Sequence, residues 1–186
     1  FAEPNYIVHA LATTPNDPLY AANLWGLNNT GQTGGTADAD IDAPEAWDAT
    51  KGSNNTIVGI IDTGIDWVHP DLAANIWTNT PELNGVDGVD DDGNGKVDDV
   101  RGWDFVNEDN DPDDGDGHGT HVAGTVGAVG NNGAGVTGVA WTVKMIPLKT
   151  LDDEGSGTTL DAIEAINYVT DLVVNRGIAV KLINNS

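Results

Sequence analysis

Two short stretches carry residue types that can move a proton. In Asp116-Gly117-His118-Gly119-Thr120-His121-Val122-Ala123-Gly124-Thr125 a histidine sits between glycines, and small residues continue from it as in a tightly packed, buried helix. His118 therefore stands at a helix mouth. The free N–H groups there disfavour an imidazolium, so the ring is expected to stay neutral and basic unless a carboxylate restores its proton affinity. Upstream, Ile57-Val58-Gly59-Ile60-Ile61-Asp62-Thr63-Gly64 is an apolar run ending in an acid and a turn. Open α/β sheets gather functional groups at the C-terminal ends of strands, which makes Asp62 the candidate carboxylate to orient His118 as a base. The plain alternative for either residue is a buried, hydrogen-bonded polar group.

Strands and helices must alternate to bring the two together. Apolar runs at residues 56–61, 143–149 and 178–183 read as strands. Asp42 is a possible cap for a short helix through Ala43, Pro44 and Trp47. A longer helix opens at residues 158–160, carries Ile163, Ile166, Tyr168, Val169, Leu172 and Val173 as a core-facing stripe, and closes near Asn175, Arg176 and Gly177.

The 186 residues hold 30 acids against 7 Lys and Arg, a formal charge of -23. Nucleic acid and anionic membrane would be repelled, and cations are the natural partners. With no cysteine the chain needs no disulfide. Acids crowd between residues 87 and 116, where a solvated acidic loop and a folded calcium loop are the competing readings. Spacing favours calcium: Asp90, Asp92, Asn94, Gly95 and Asp98 occupy positions one, three, five, six and nine of an EF-hand-like loop, with the Lys96 carbonyl at seven. Position twelve is Arg101 instead of glutamate, so this is not a full EF-hand. Hard oxygen donors and no thiol favour calcium over zinc or copper.

The block Ile60-Ile61-Asp62-Thr63-Gly64-Ile65-Asp66, the stretch His69-Pro70-Asp71-Leu72 and the long segment around His118 together resemble the subtilisin-like serine proteases, in the chain order Asp then His. The resemblance runs from about residue 19 to residue 186. It implies an α/β domain of three layers, a mostly parallel sheet flanked by helices, of which residues 15–186 form the N-terminal part. It also implies an endopeptidase working through Ser, His and Asp, in which His118 takes the serine proton and Asp62 holds the tautomer. The family's serine, in a Gly-Thr-Ser-Met-Ala-like segment, and its oxyanion asparagine do not occur here. The expected partners are therefore polypeptide substrates, the remaining C-terminal part of the catalytic domain, and the enzyme's own propeptide. Without that remaining part, the alternative is an inactive calcium-binding fragment.

Further expectations follow from the same resemblance. Residues 1–14 are a propeptide remnant and linker, and the enzyme is secreted. The glycines of Gly155-Ser156-Gly157 let a peptide substrate pair with the loop backbone, the plain alternative being a flexible connector. In thermitase-like members the segment carrying Asp104, Asn107, Asp109, Asp111 and Asp113 binds calcium, within an acidic insertion at about 84–116. A tighter calcium site is assembled from Asp17, Asp71 and Asn132 with carbonyls of Val129, Ala134 and Val136. His121 is expected to be packed, without a metal role, and His69 to position the turn that carries Asp71. Asp62-Thr63-Gly64 also matches the catalytic tripeptide of pepsin-like aspartic proteases, but no second such tripeptide occurs.

Overall fold

The computed structural model describes residues 12–186. The elements run in the order α1 (Tyr20–Asn23), α2 (Ala43–Ala49), β1 (Gly52–Asp62), a 3-10 turn (Ala73–Asn75), α3 (Thr80–Asn84), β2 (Trp103–Asp104), α4 (His118–Gly127), β3 (Thr142–Lys149), α5 (Thr159–Val174) and β4 (Val180–Asn185). Residues 1–11 of the expected propeptide remnant and linker lie outside the described residues.

All strand pairs are parallel, in the order β2-β3-β1-β4. β1 is central and its apolar half is buried on both faces, as a parallel strand between helices must be. The two faces follow the period of two. Ile61, Ile146 and Leu148 pack against Ala165, Tyr168, Val169 and Leu172 of α5, whereas Val58, Ile60, Val143 and Met145 pack against Ala123 of α4. Right-handed crossovers explain the division: β3 and β4 lie on opposite sides of β1, so α4 and α5, the helices leading into them, fall on opposite faces. The result is the three-layer α/β architecture. A smaller cluster of Tyr20, Ala43, Trp47 and Trp141 ties α1 and α2 to the start of β3, with Trp47 Nε1 donating to the Val139 carbonyl at 2.8 Å.

Four local expectations need correction. Asp42 does precede α2, but it sits at φ 54° and its side chain makes no capping bond; its N–H and that of Asn29 are instead held by the two oxygens of Asp40. α5 starts with a capping box between Thr158 and Asp161, yet only part of its expected stripe is core. Ala165, Tyr168, Val169 and Leu172 are buried, while Ile163, Ile166 and Val173 are exposed. The helix rests on the sheet along one line of residues, and the apolar side chains flanking that line have nothing above them among the described residues. α4 buries only Gly119, Ala123 and Gly127, so it is not enclosed. His121 is exposed and lines a groove with Leu24, Trp25 and Ile41.

Candidate active site

β1 delivers Asp62 to the C-terminal edge of the sheet, fully buried, and α4 begins at His118 beside it. His118 Nδ1 lies 2.7 Å from Asp62 Oδ1. The carboxylate oxygen accepts, so Nδ1 carries the proton and Nε2 keeps its lone pair. Asp62 Oδ1 also accepts the Thr63 N–H at 2.8 Å, and Oδ2 accepts the Ser186 hydroxyl at 3.2 Å. The His118 side chain is about half exposed, its ring reachable from solvent while its partner is not.

The close approach of α4 to β1 depends on Gly119. A Cβ there would stand 2.1 Å from the Gly64 carbonyl and 3.1 Å from the Asp62 Cβ, so any side chain would push the helix mouth away from the carboxylate. The His118 pKa is raised by the hydrogen bond that its Nδ1–H donates to Asp62 and by the charge of that carboxylate, then by Asp116 and Asp114, against the opposing effect of burial. The helix-mouth position alone favours a neutral ring; the surrounding carboxylates outweigh it.

Asp114 occupies the hinge between the two elements. Its Oδ1 accepts the Thr63 hydroxyl at 2.7 Å and the N–H groups of Gly117 at 2.9 Å and Asp116 at 3.2 Å. Its Oδ2 accepts the Thr120 N–H at 2.8 Å and hydroxyl at 2.6 Å. Burial works to raise its pKa, but these donors prevail and hold the carboxyl below the usual carboxylate range. On the other side of Asp62, the buried Lys149 donates to the Thr63 carbonyl at 2.7 Å and to Asp153 at 2.8 Å. The Asp62 carbonyl takes N–H groups from Thr150 and Leu151. The loop expected to meet substrate is thus tied directly to the end of β1.

That loop, Gly155-Ser156-Gly157, is exposed and turns on Asp152, whose Oδ1 accepts the Ser156 N–H at 2.8 Å and the Glu154 N–H at 3.0 Å. Its two glycines have different reasons. Gly155 adopts φ 74° with open space around it, whereas a Cβ on Gly157 would meet the chain's own Thr150 carbonyl at 1.9 Å.

The calcium candidates separate into three places. Asp17 and Asp71 are both buried, and the loop after α4 closes over them. Asp17 accepts the N–H groups of Asn131 at 2.7 Å and Asn132 at 3.2 Å, while Asp71 accepts Asn132 Nδ2 and the Val136 N–H, both at 2.8 Å. The Val129 N–H reaches the Asp71 carbonyl, and Ala134 N–H reaches Asn132 Oδ1. Residues far apart in sequence are therefore brought to one place. Among the described residues neither acid has a cationic side chain within ion-pair distance. Two buried carboxylates without a cationic partner among the described residues, with the Asn132 amide between them, suit a hard divalent cation. His69 Nδ1 accepts the Asp71 N–H at 3.2 Å, the structural part expected of it.

In the EF-hand-like loop, Asp90 wraps the N–H groups of Gly93, Asn94 and Gly95, Asp92 Oδ1 accepts the Asn94 N–H, and Asn94 Oδ1 accepts that of Lys96. Asp98 turns away toward the Gly88 N–H. The carboxylate that sequence reasoning missed is Glu82. It is buried, and one of its oxygens lies within 4.8 Å of oxygens of Asp90 and Asp92. It accepts N–H groups from Asp91, Asp92 and Asp98, and so joins the loop's carboxylates from outside the loop. Its sole sequence signal is an acid in the first turn of α3, and no loop spacing reaches back that far. Two further clamps went unread: buried Asp99 accepts from Tyr168 at 2.5 Å, and Arg176 donates to the carbonyls of Asp92 and Gly93. The third place is less convergent. Asp104 is buried and caps Val106 and Asn107, and Asp109 Oδ1 accepts the Asp111 N–H, but these acids and Asp113 form no group of three within 4.8 Å.

Among the described residues Asp62 has His118, Thr63 and Ser186 as partners and no second carboxylate, within a parallel α/β sheet, which is not the shared-proton dyad of an aspartic protease. Among the described residues no helix is long and apolar enough to cross a membrane.

Comparison with known proteins agrees with this geometry. The chain is 39% identical over 171 residues to the thermophilic serine proteinase of Bacillus sp. (strain AK1), covering 92% of this chain and 34% of that protein. It is 37% identical over 158 residues to thermitase of Thermoactinomyces vulgaris (85% of this chain, 44% of thermitase), and 50% identical over 113 residues to subtilisin-like protease 1 of Plasmodium vivax (61% and 18%). The chain thus spans between about a fifth and under a half of these relatives. The fold is shared with the Aeromonas sobria serine protease, crystallised in complex with its chaperone ORF2, at a TM-score of 0.67, 24% identity, 92% of this chain and 25% of that one. Residues 53–186 match the profile of the subtilase family, and with the parallel sheet and the Asp-before-His order the chain belongs to that family.

Proposed function

We propose that this chain supplies the Asp and His of a calcium-dependent, secreted subtilisin-like endopeptidase. The observation that carries the reading is the 2.7 Å bond from His118 Nδ1 to a fully buried Asp62 at the end of the central strand. With Nδ1–H fixed on the carboxylate, Nε2 is the free base. A serine hydroxyl presented to it, from chain beyond these residues, gives up its proton as the oxygen attacks the scissile carbonyl, and the imidazolium formed is stabilised by Asp62. The same proton then passes to the leaving amine.

The backbone of Gly155-Ser156-Gly157 pairs with the extended substrate, its position set by the Thr150 and Leu151 bonds to Asp62. Calcium would be held by Asp17, Asp71 and Asn132 with carbonyls of Val129, Ala134 and Val136, and by Asp90, Asp92 and Asn94 with the Lys96 carbonyl; Asp104, Asn107, Asp109, Asp111 and Asp113 are the weaker candidates. When bound, the ion supplies positive charge to buried carboxylates and no step of the hydrolysis. Residues 1–14 act as the end of an inhibitory propeptide.

The test uses the protein that contains this chain, a fluorophosphonate probe and a peptide substrate. Wild type labels on serine and cleaves the peptide; His118→Ala and Asp62→Asn lose labelling and at least about 10³-fold in kcat. Peptide cleavage by His118→Ala at the wild-type rate would sink the proposal. If the 186 residues alone neither label nor cleave while still binding calcium, the fragment reading holds for that species.

A further inference from the structure

Two separate elements must be held in register for Asp62 and His118 to meet, and the hydrogen bond between them is not alone in doing so. We propose that Asp114 is the positioning residue of the pair: through the Thr63 hydroxyl and the first turn of α4 it locks the end of β1 to the helix mouth. The inference rests on the protease reading only for its effect on rate; the geometry stands without it.

Oδ1 of Asp114 bridges the two sides of the joint, and Oδ2 holds the helix side alone. Oδ1 takes the Thr63 hydroxyl, and with it the residue directly after Asp62, together with the Gly117 N–H that precedes His118. Oδ2 takes both donors of Thr120, two residues after His118. Thr63 Oγ1, having given its proton to Asp114, accepts the Gly119 N–H at 2.9 Å, and this bond is buried. The Thr120 oxygen likewise accepts the Asp66 N–H at 2.9 Å, which ties in the turn after β1. A closed set of bonds therefore runs from Asp62's neighbour through Asp114 to the residues on either side of His118. The helix has no side-chain cap at its N-cap residue, Gly117, so Asp114 also satisfies N–H groups that would otherwise lack an acceptor.

Only a carboxylate fits this place. Every group facing the two oxygens is a donor, and both must accept at once. An asparagine would turn an NH2 toward Gly117 and Thr63 or toward Thr120, opening the joint at that position. Because the Thr63 and Gly119 links are short and lie against Gly64, a small rotation of α4 would carry the imidazole off the carboxylate. A displacement near 1 Å in such a pair costs on the order of 10²-fold in rate.

The charge of Asp114 also acts on His118 directly, so the test must separate charge from position. Thr63→Val does so: it breaks the joint and leaves the carboxylate in place. Thr63→Ser keeps the hydroxyl and serves as the rescue. In protein labelled with ¹⁵N-histidine, the low-field Nδ1–H proton of His118 and the pH titration of its ring are followed by NMR, beside kcat and KM on a peptide. Asp161→Asn, which weakens the cap of α5 and has no bond to Thr63, Asp114 or His118, is the control for loss of stability, read in the NMR signals only. In the expected result, Asp114→Asn and Thr63→Val each lose the low-field proton, lower the ring pKa and drop kcat roughly 10- to 100-fold with KM within about twofold, and the double variant is no worse than either single. Thr63→Ser and Asp161→Asn keep the wild-type signals. The proposal is overturned if Thr63→Val retains the low-field proton and the ring pKa while Asp114→Asn alone shifts them, since charge would then account for the effect. It is equally overturned if both variants merely lower Tm. Should the signals respond as expected in a protein that hydrolyses no peptide, Asp114 remains the positioning residue and the protease reading falls.

Discussion

Chelation of the proposed calcium is expected to destabilise the fold. Among the described residues Asp17 and Asp71 have no cationic partner, so in the cation's absence two buried carboxylates are held by N–H donors alone. A cation at about 100 times its Kd stabilises the folded state by about 2.7 kcal/mol. For a domain of this size each kcal/mol moves Tm by roughly 2–4 °C, so emptying one such site lowers it by roughly 5–10 °C. Differential scanning calorimetry in millimolar calcium and again in EDTA measures this directly. Asp71→Asn gives the sharper comparison. The amide gives up one accepting position, a cost of about 1 kcal/mol, while removing a buried charge that EDTA leaves uncompensated. The variant should therefore be less stable than wild type in calcium, close to it or above it in EDTA, and show less than half of the wild-type shift. A wild-type Tm that stays within about 1 °C on chelation, or an Asp71→Asn variant with the full shift, refutes the reasoning.

Three other outcomes are expected. The raised His118 pKa means that protonation favours the fold: this contribution is complete below the unfolded histidine pKa and is lost as pH rises through the folded value. Because the base must be neutral, the acid limb of kcat/KM should lie above the ordinary histidine value and move down in Asp62→Asn, read from a pH–rate profile. Gly119→Ala should cost about 1–3 kcal/mol in urea unfolding and lower activity with it, because its Cβ would meet the Gly64 carbonyl at 2.1 Å. Tyr168→Phe removes a donor from buried Asp99, whose carboxyl burial pushes up to about 6, and should destabilise by about 1.5–3 kcal/mol in the same assay; a loss below about 0.5 kcal/mol would mean that Asn79 and Asn94 satisfy the carboxylate alone.

Much of this protein was legible in the order of its residues. The apolar run into Asp62 and the small-residue helix from His118 are local patterns. The continuous apolar run that stops at an acid and a turn, and the glycines and small residues around His118, put Asp62 at a strand end and His118 at a helix start before any contact is known. The Thr158 and Asp161 cap was readable only as a helix start, and Asp42 shows the limit of that signal. An Asp before a helix caps it only if its backbone is extended, and here it is left-handed. What tertiary structure decided is everything that depends on distance across the chain. It set the 2.7 Å meeting of Asp62 and His118 across 56 residues, and the arrival of Glu82 at a loop whose spacing never included it. It also left Ile163, Ile166 and Val173 in solvent, because helical periodicity names the apolar side chains but not which of them the sheet will cover. Local chemistry is written in neighbours along the chain; position is written in packing, and packing here runs through Gly119, Thr63 and Asp114.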